Sequence, residues 1–265
     1  MEKFSTALLL STYNWPQALN VVLRSLEGQT VMPDEILIAD DGSGPETKKL
    51  IDDFAASVSV PVKHYWQEDK GFRKSQILNK AVAGSTSDYI IQVDGDCIMH
   101  NRFIEDHKNA AEHDCYLYGA RVNILPGAVS KVLSAEITHF SVFSPEIKNK
   151  TRALHLPLLA RLNKKHAHYS DKFRGCNVSF WRKDFIAING YNETFEGWGK
   201  EDSDLVIRMG NNRVMAKRLK FSGIVYHIYH KINSRHNLEA NNNRQDETIA
   251  NKVVWCANGV DKYLN

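Results

Sequence analysis

A chain of 265 residues with 43% apolar and 25% charged side chains has the makeup of a folded globular protein, which excludes disordered and fibrous classes and predicts one main domain with a smaller appendage. Its formal net charge of +3 is too small to imply a nucleic-acid partner. The four cysteines, Cys97, Cys115, Cys176 and Cys256, are widely spaced with no C-x-x-C pair, which argues against a disulfide framework or a zinc site and makes a reducing cytosol the default.

The run from Met1 to Phe4 has no apolar core or cleavage site of a secretory signal, and no apolar run approaches the roughly 20 residues that span a bilayer. A soluble cytoplasmic protein is therefore expected. Residues 6–12 read as a buried strand, and after Asn14 and Pro16 the spacing of Leu19, Val22, Leu23 and Leu26 predicts a helix. The pattern repeats with a strand over 35–39 ending at Asp40 and Asp41, and a helix carrying Leu50, Ile51 and Phe54. A third strand over 60–66 leads through a charged loop to a helix from Lys74 that stops at Gly84, and a fourth strand over 88–93 ends at Asp94. Continuous apolar strands alternating with helices predict an α/β, Rossmann-like, mostly parallel sheet with helices on both faces.

Residues 115–121 read as one further strand, after which the basic stretch 134–172 shows weak periodicity and no assignable element. Regularity returns with a strand over 177–181, a short helix after Asp184, a helix over 201–209 and a strand over 223–226 that leads to His227. From Asn233 the chain is rich in Asn, Arg and Glu, and a short apolar helix is expected near 249–256. No internal repeat is evident.

In open α/β sheets ligands bind beyond the carboxyl ends of the strands, and three strand ends here carry Ser11 to Asn14, Asp40 with Asp41, and Asp94 with Asp96. Any one of these reads equally well as a turn or helix cap; three in register point to a ligand. The carboxylates of Asp94-Gly95-Asp96 suit a hard divalent cation, magnesium or manganese, which offsets the charge that builds on a leaving nucleoside diphosphate. Glu201 and Asp202 open a helix, where the macrodipole favours ionised carboxylates; they serve as caps or as a base for an acceptor hydroxyl. Trp198 offers a flat apolar face of the kind that packs on a sugar ring. His227 and His230, three apart, are structural or complete a metal shell. Lys70, Arg73 and Lys74 form a charged loop that is either solvated or pairs with phosphates.

Together these motifs resemble the inverting GT-A glycosyltransferases of family two across nearly all of residues 3–232. Ser11-Thr12-Tyr13-Asn14 looks like the first-strand nucleoside motif, Asp40-Asp41-Gly42-Ser43 the uracil-contacting motif and Asp94-Gly95-Asp96 the metal motif. Arg174-Gly175-Cys176-Asn177, Gly190-Tyr191-Asn192 and Gly197-Trp198-Gly199-Lys200-Glu201-Asp202 are similar to the galactosyltransferase-like region of chondroitin-polymerase-type and β-1,4-galactosyltransferase enzymes. The resemblance implies a GT-A domain over 1–232, with a nucleotide-sugar half to residue 120 and an acceptor half from 121, followed by a helical appendage over 233–265. It implies a UDP-sugar donor contacted by Thr12, Tyr13, Asn14, Asp40, Asp41, Lys70, Arg73, Asp94 and Gly95, and a carbohydrate or glycolipid acceptor contacted by Trp198, Gly199 and Asn177. It also implies Mn2+ or Mg2+ at Asp96 with His227 or His230, Asp202 as general base and Glu201 holding the acceptor. Inversion would give a β-linkage, in bacterial lipopolysaccharide or surface polysaccharide synthesis at the inner face of the cytoplasmic membrane. The basic stretch from Lys148 to Arg174 then either touches lipid or a charged acceptor, or is simply solvated.

A dinucleotide-dependent oxidoreductase is excluded by Thr12-Tyr13-Asn14-Trp15 where a G-x-G-x-x-G turn belongs. A sugar nucleotidyltransferase lacks its Gly- and Arg-rich first loop here. The remaining rival is an inactive glycan- or nucleotide-binding module of the same fold, against which the intact Asp94, Asp96, Glu201 and Asp202 argue.

Overall fold

The computed structural model describes residues 3–167, 169–170, 173–231 and 237–264. Met1, Lys172 and Asn233, which the sequence reading used to mark the chain start, the end of the basic stretch and the start of the appendage, lie outside the described residues.

The first half alternates β1 (Thr6–Thr12), α1 (Pro16–Glu27), β2 (Glu35–Asp40), α2 (Pro45–Ser57), β3 (Val62–Trp66), α3 (Lys74–Ala83) and β4 (Tyr89–Asp94). Every residue of β1 and β2 is buried, as expected for strands covered on both faces. Alternate side chains go to opposite layers: Leu8, Leu10, Ile36 and Ile38 join one apolar cluster with α1 and α2, whereas Ala7, Leu9, Leu37 and Ala39 join another with α3. Pro16 and Pro45 open α1 and α2, where a fixed φ and a missing N–H do no harm.

The chain continues through β5 (Cys97–Met99), α4 (Phe103–Ala110), β6 (Cys115–Gly119), β7 (Arg121–Ile124), α5 (Val129–Ser134), β8 (Ile147–Lys148), α6 (Pro157–Ala160), β9 (Lys165–His166) and β10 (Asn177–Trp181). It ends with α7 (Arg182–Ala187), α8 (Glu201–Asn211), β11 (Met215–Leu219), β12 (Val225–His227) and α9 (Leu238–Ala250). Among the described residues the strands form an eight-stranded sheet, ordered β3-β2-β1-β4-β10-β6-β11-β9, and a four-stranded sheet, β5-β12-β7-β8. In the large sheet only β10 and β9 oppose the common direction, so it is mostly parallel with helices on both faces, as predicted.

Three expectations are corrected. Residues 115–121 are two strands, because the chain leaves the large sheet at Gly119 and enters the small one at Arg121. The strand β11, next to the edge strand β9, went unrecognised because its sequence, MAKRL, carries Lys217 and Arg218 in place of an apolar run. The last helix covers Leu238–Ala250 and not 249–256. Its buried residues are Asn241, Gln245 and Thr248, while Ile249 and Trp255 are exposed, so an apolar pattern marked the wrong place.

Candidate active site

Sheet register brings the polar strand ends together. Ser11 lies opposite Asp94 and Thr12 opposite Asp40, and Asn177 at the start of antiparallel β10 lies opposite Val93, so β2, β1, β4 and β10 present their motifs along one edge. Asp94 accepts from Ser11 Oγ at 2.8 Å and from Lys74 Nζ at 2.7 Å. The Gly95 N–H donates to the Ser11 carbonyl at 2.7 Å, and a Cβ at residue 95 would lie 2.8 Å from that same oxygen, so only glycine lets β4 turn this tightly over β1.

At the end of β2, Asp40 accepts from the Ser43 N–H at 2.8 Å and pairs with His64 Nε2 at 3.1 Å, while Asn14 is tied to the same turn through Ser43 Oγ and the Gly44 N–H. Asp41 accepts from Gln67 Nε2 at 2.6 Å and from the Arg73 N–H at 2.8 Å. Burial raises the Asp41 carboxyl above its ordinary range, opposed by these two hydrogen bonds. Half-exposed Tyr13 donates to Asp69, and Trp66, whose Nε1–H donates to the Ser43 carbonyl, is also exposed. Thr12 is buried.

Asp96 forms a second cluster with the end of β12. Its Oδ2 lies 3.3 Å from His227 Nε2 and 3.0 Å from His230 Nε2, its carbonyl accepts the Ile228 N–H, and Trp15 stands edge-on to the His230 ring at 6.0 Å. Burial works against the Asp96 charge, but the two imidazoles hold its carboxyl well below the usual range, and Asp96 in turn raises His230. One ligand atom from each of the three lies within 4.8 Å of the others. One carboxylate and two imidazoles suit manganese or another divalent transition ion.

Glu201 and Asp202 stand at the first turn of α8, after a loop in which Gly197, Gly199 and Lys200 all have positive φ. Asp202 accepts from the Gly175 N–H at 3.0 Å and lies 3.4 Å from Tyr191 Oη, whose single proton is directed to Gln92 Oε1 at 3.0 Å or to Asp202; Gln92 Nε2 donates to the Gly175 carbonyl. These contacts hold the Asp202 carboxylate in place, and a Cβ on residue 175 would lie 2.2 Å from it. Glu201 is buried and accepts the Gly199 N–H at 3.0 Å. Burial and then the Asp202 charge push its carboxyl up to about 8, with Lys74 opposing. Burial raises Asp202 as well, and there Lys74 is the main opposing group. Burial likewise opposes the Lys74 charge, yet Asp94, Asp202 and Glu201 hold its ammonium well above the ordinary lysine range. Lys74 is thus a cation shared by three carboxylates.

The other expected residues are placed as follows. Lys70 is exposed and pairs with Glu68 at 2.8 Å, and the Arg73 guanidinium bonds Gln76 and the Glu68 carbonyl, so of the three loop cations it is Lys74 that reaches the carboxylates. Trp198 is partly exposed beside Gly199. Asn177 has no exposed surface: it donates to the Gly223 carbonyl at 2.7 Å and the Ala120 carbonyl at 3.2 Å and meets His107 at 3.2 Å. The acceptor contact expected of Asn177 is not open to it; it clasps the crossing between the two sheets instead. The sequence reading missed Gln92, whose signal was a polar residue inside an apolar strand, and gave no role to Tyr191 and Gly175 although both stand in quoted motifs.

The glycosyl transferase family 2 profile matches residues 8–185, and the profile described as N-terminal domain of galactosyltransferase matches residues 156–231. Validoxylamine A glucosyltransferase of Streptomyces hygroscopicus subsp. limoneus is 24% identical over 231 residues, covering 77% of this chain and 47% of its own. Hyaluronan synthase of Pasteurella multocida is 24% identical over 221 residues, covering 77% of this chain and 22% of its own. The chain thus spans about half or less of these relatives. Among solved structures, S. aureus TarS 1-349 in complex with UDP superposes with a TM-score of 0.63 at 14% identity, covering 98% of this chain and 69% of that one. The mannosyltransferase PcManGT from Pyrobaculum calidifontis in complex with GDP-Man and Mn2+ gives 0.62 at 14% identity, covering 96% and 65%. At such identity these structures speak for the shared fold.

Proposed function

The chain belongs to glycosyltransferase family 2, and from that premise we propose that it transfers a sugar from a UDP-sugar to a hydroxyl of a carbohydrate or glycolipid acceptor. The observation that carries this reading is the convergence of Asp94, Lys74, Glu201 and Asp202 on one network at the strand ends, beside the Asp96, His227 and His230 cluster. The reaction is a direct displacement with inversion. Asp202 takes the proton of the acceptor hydroxyl, the oxygen bonds to the anomeric carbon, and the bond from that carbon to the diphosphate oxygen breaks, so an α-linked donor gives a β-linkage. With its carboxyl pushed up to about 8, Glu201 holds a proton at neutral pH and hydrogen-bonds the acceptor, leaving Asp202 beside Lys74 as the ionised partner.

Tyr13 and Asn14, with the loop shaped by Asp40 and Asp41, receive the nucleoside, Thr12, Asp94 and Gly95 line the donor side, and Lys70 and Arg73 are within the loop that faces the phosphates. Trp198 and Gly199 flank the acceptor. Asp96, His227 and His230 would hold Mn2+ or Mg2+, which when bound neutralises charge on the leaving diphosphate. The product belongs to a bacterial surface polysaccharide or lipopolysaccharide made on the cytoplasmic side. The test is release of UDP by the purified protein across a panel of UDP-sugars with manganese, magnesium or chelator. Metal-dependent release from one donor supports the reading and names the sugar; no release together with no UDP binding by calorimetry overturns it.

A further inference from the structure

The segment 147–170 holds six Lys and Arg residues and no Asp or Glu. Within it α6 and the turn that follows place Leu158 and Leu162 four residues apart and 77% and 73% exposed, with Leu159 beside them at 45%. Single exposed leucines are ordinary on a protein surface, but three in one helical turn are not. Their exposure is imposed by the fold. The Leu156 N–H donates to the Phe221 carbonyl at 2.9 Å, Asn163 Nδ2 donates to the carbonyls of Ala160 and Lys220 at 2.9 Å each, and the turn closes through Leu162 N–H to the Leu159 carbonyl. Both ends of the turn are thereby pinned to the body while its leucines face outward. The exposed cations Arg161, Lys164 and Lys220 flank them.

We propose that this turn docks the protein on an anionic lipid surface, the leucines entering the headgroup boundary and the cations pairing with lipid phosphates. Apolar tips ringed by cations, with no acid among them in the segment, complement such a surface in both respects. A second copy of the chain would meet the same cations and be repelled. Burying one leucine is worth roughly tenfold or more in a partition equilibrium, and each cation roughly fivefold at an anionic surface. No helix among the described residues is long and apolar enough to cross a membrane, so this contact would be peripheral.

The inference does not rest on sugar transfer, since lipid binding is measured without donor or acceptor. The full chain is floated with vesicles of phosphatidylcholine, alone or mixed with phosphatidylglycerol. Binding to the mixed vesicles only, weakened by salt and reduced at least about tenfold by L158E/L162E with an unchanged melting temperature, is the expected result. R161E/K164E should reduce it comparably. No flotation with either vesicle, or flotation that L158E/L162E leaves intact, overturns the proposal. So does a chain that sediments as a dimer which L158E/L162E dissociates, because the turn would then be a contact between copies.

Discussion

Replacing Asn241 tests whether α9 holds the loop that carries Glu201 and Asp202. Asn241 is fully buried, and its Nδ2 donates to the Glu196 carbonyl at 3.2 Å and the Gly199 carbonyl at 3.0 Å, while its Oδ1 accepts from Arg244 at 3.1 Å. The positive φ angles at Gly197, Gly199 and Lys200 make this loop one that neighbours must hold in place. Alanine removes all three hydrogen bonds, each worth about 0.5–1.5 kcal/mol, and water reaches the part-buried loop carbonyls only in part, a loss of about 2–3 kcal/mol. At about 2–4 °C per kcal/mol for a chain of this size, the melting temperature should fall by roughly 4–12 °C. Asn241→Asp keeps the shape and the Arg244 contact but sets an acceptor against two carbonyls, and should destabilise at least as much as alanine. The assay is thermal unfolding by circular dichroism, with kcat and UDP affinity measured well below the transition. The loop carries the base and not the donor site, so kcat should fall while UDP affinity holds. An Asn241→Asp protein as stable and as fast as the parent would refute the reasoning.

Asp202→Asn should lower kcat by about 10²- to 10⁴-fold, the usual worth of a general base, with UDP binding by calorimetry unchanged. The Glu201 carboxyl, raised from 4.5 to about 8, binds a proton more tightly in the folded state than in the unfolded one. Stability should therefore decline as pH rises through the window from about 4.5 to about 8, and Glu201→Gln should flatten that decline in urea titrations at several pH values. Asp204 and Arg208 form a fully buried pair at 2.7 Å, and Arg208 also donates to the Ile188 and Gly190 carbonyls. Asp204→Ala leaves the guanidinium buried without its carboxylate and should cost about 3–5 kcal/mol in urea unfolding, whereas paired replacement of both residues by apolar ones should cost much less.

The alternation of apolar strands and amphipathic helices through Asp94 was legible because β1, β2 and β4 are buried on both faces and α1 and α2 on one, so composition and period agree with burial. The strand-end motifs were legible for the same reason, since polar residues that close an apolar run stand out. Legibility failed where burial is polar. In α9 the inward residues are Asn241, Gln245 and Thr248, of which Asn241 bonds loop carbonyls and Thr248 bonds Asp204, so the hydrophobic pattern pointed to Ile249 on the outside. Asn177 was read as a ligand contact because its motif position suggested one, yet it bonds backbone at the crossing between two sheets that no local pattern announces.

The residue order by itself determined the class of fold, the edge of the sheet that carries chemistry, and the acids and histidines gathered there, because these follow from short-range periodicity and from which residues end each strand. Only the tertiary structure decided which of these groups meet. Strand register set Ser11 against Asp94, the small sheet carried His227 and His230 to Asp96, and the fold brought Lys74 at the start of α3 to Asp94, Glu201 and Asp202. Such pairings join residues up to about 130 positions apart, and the interaction of charges depends on their distance and burial, neither of which a linear pattern contains.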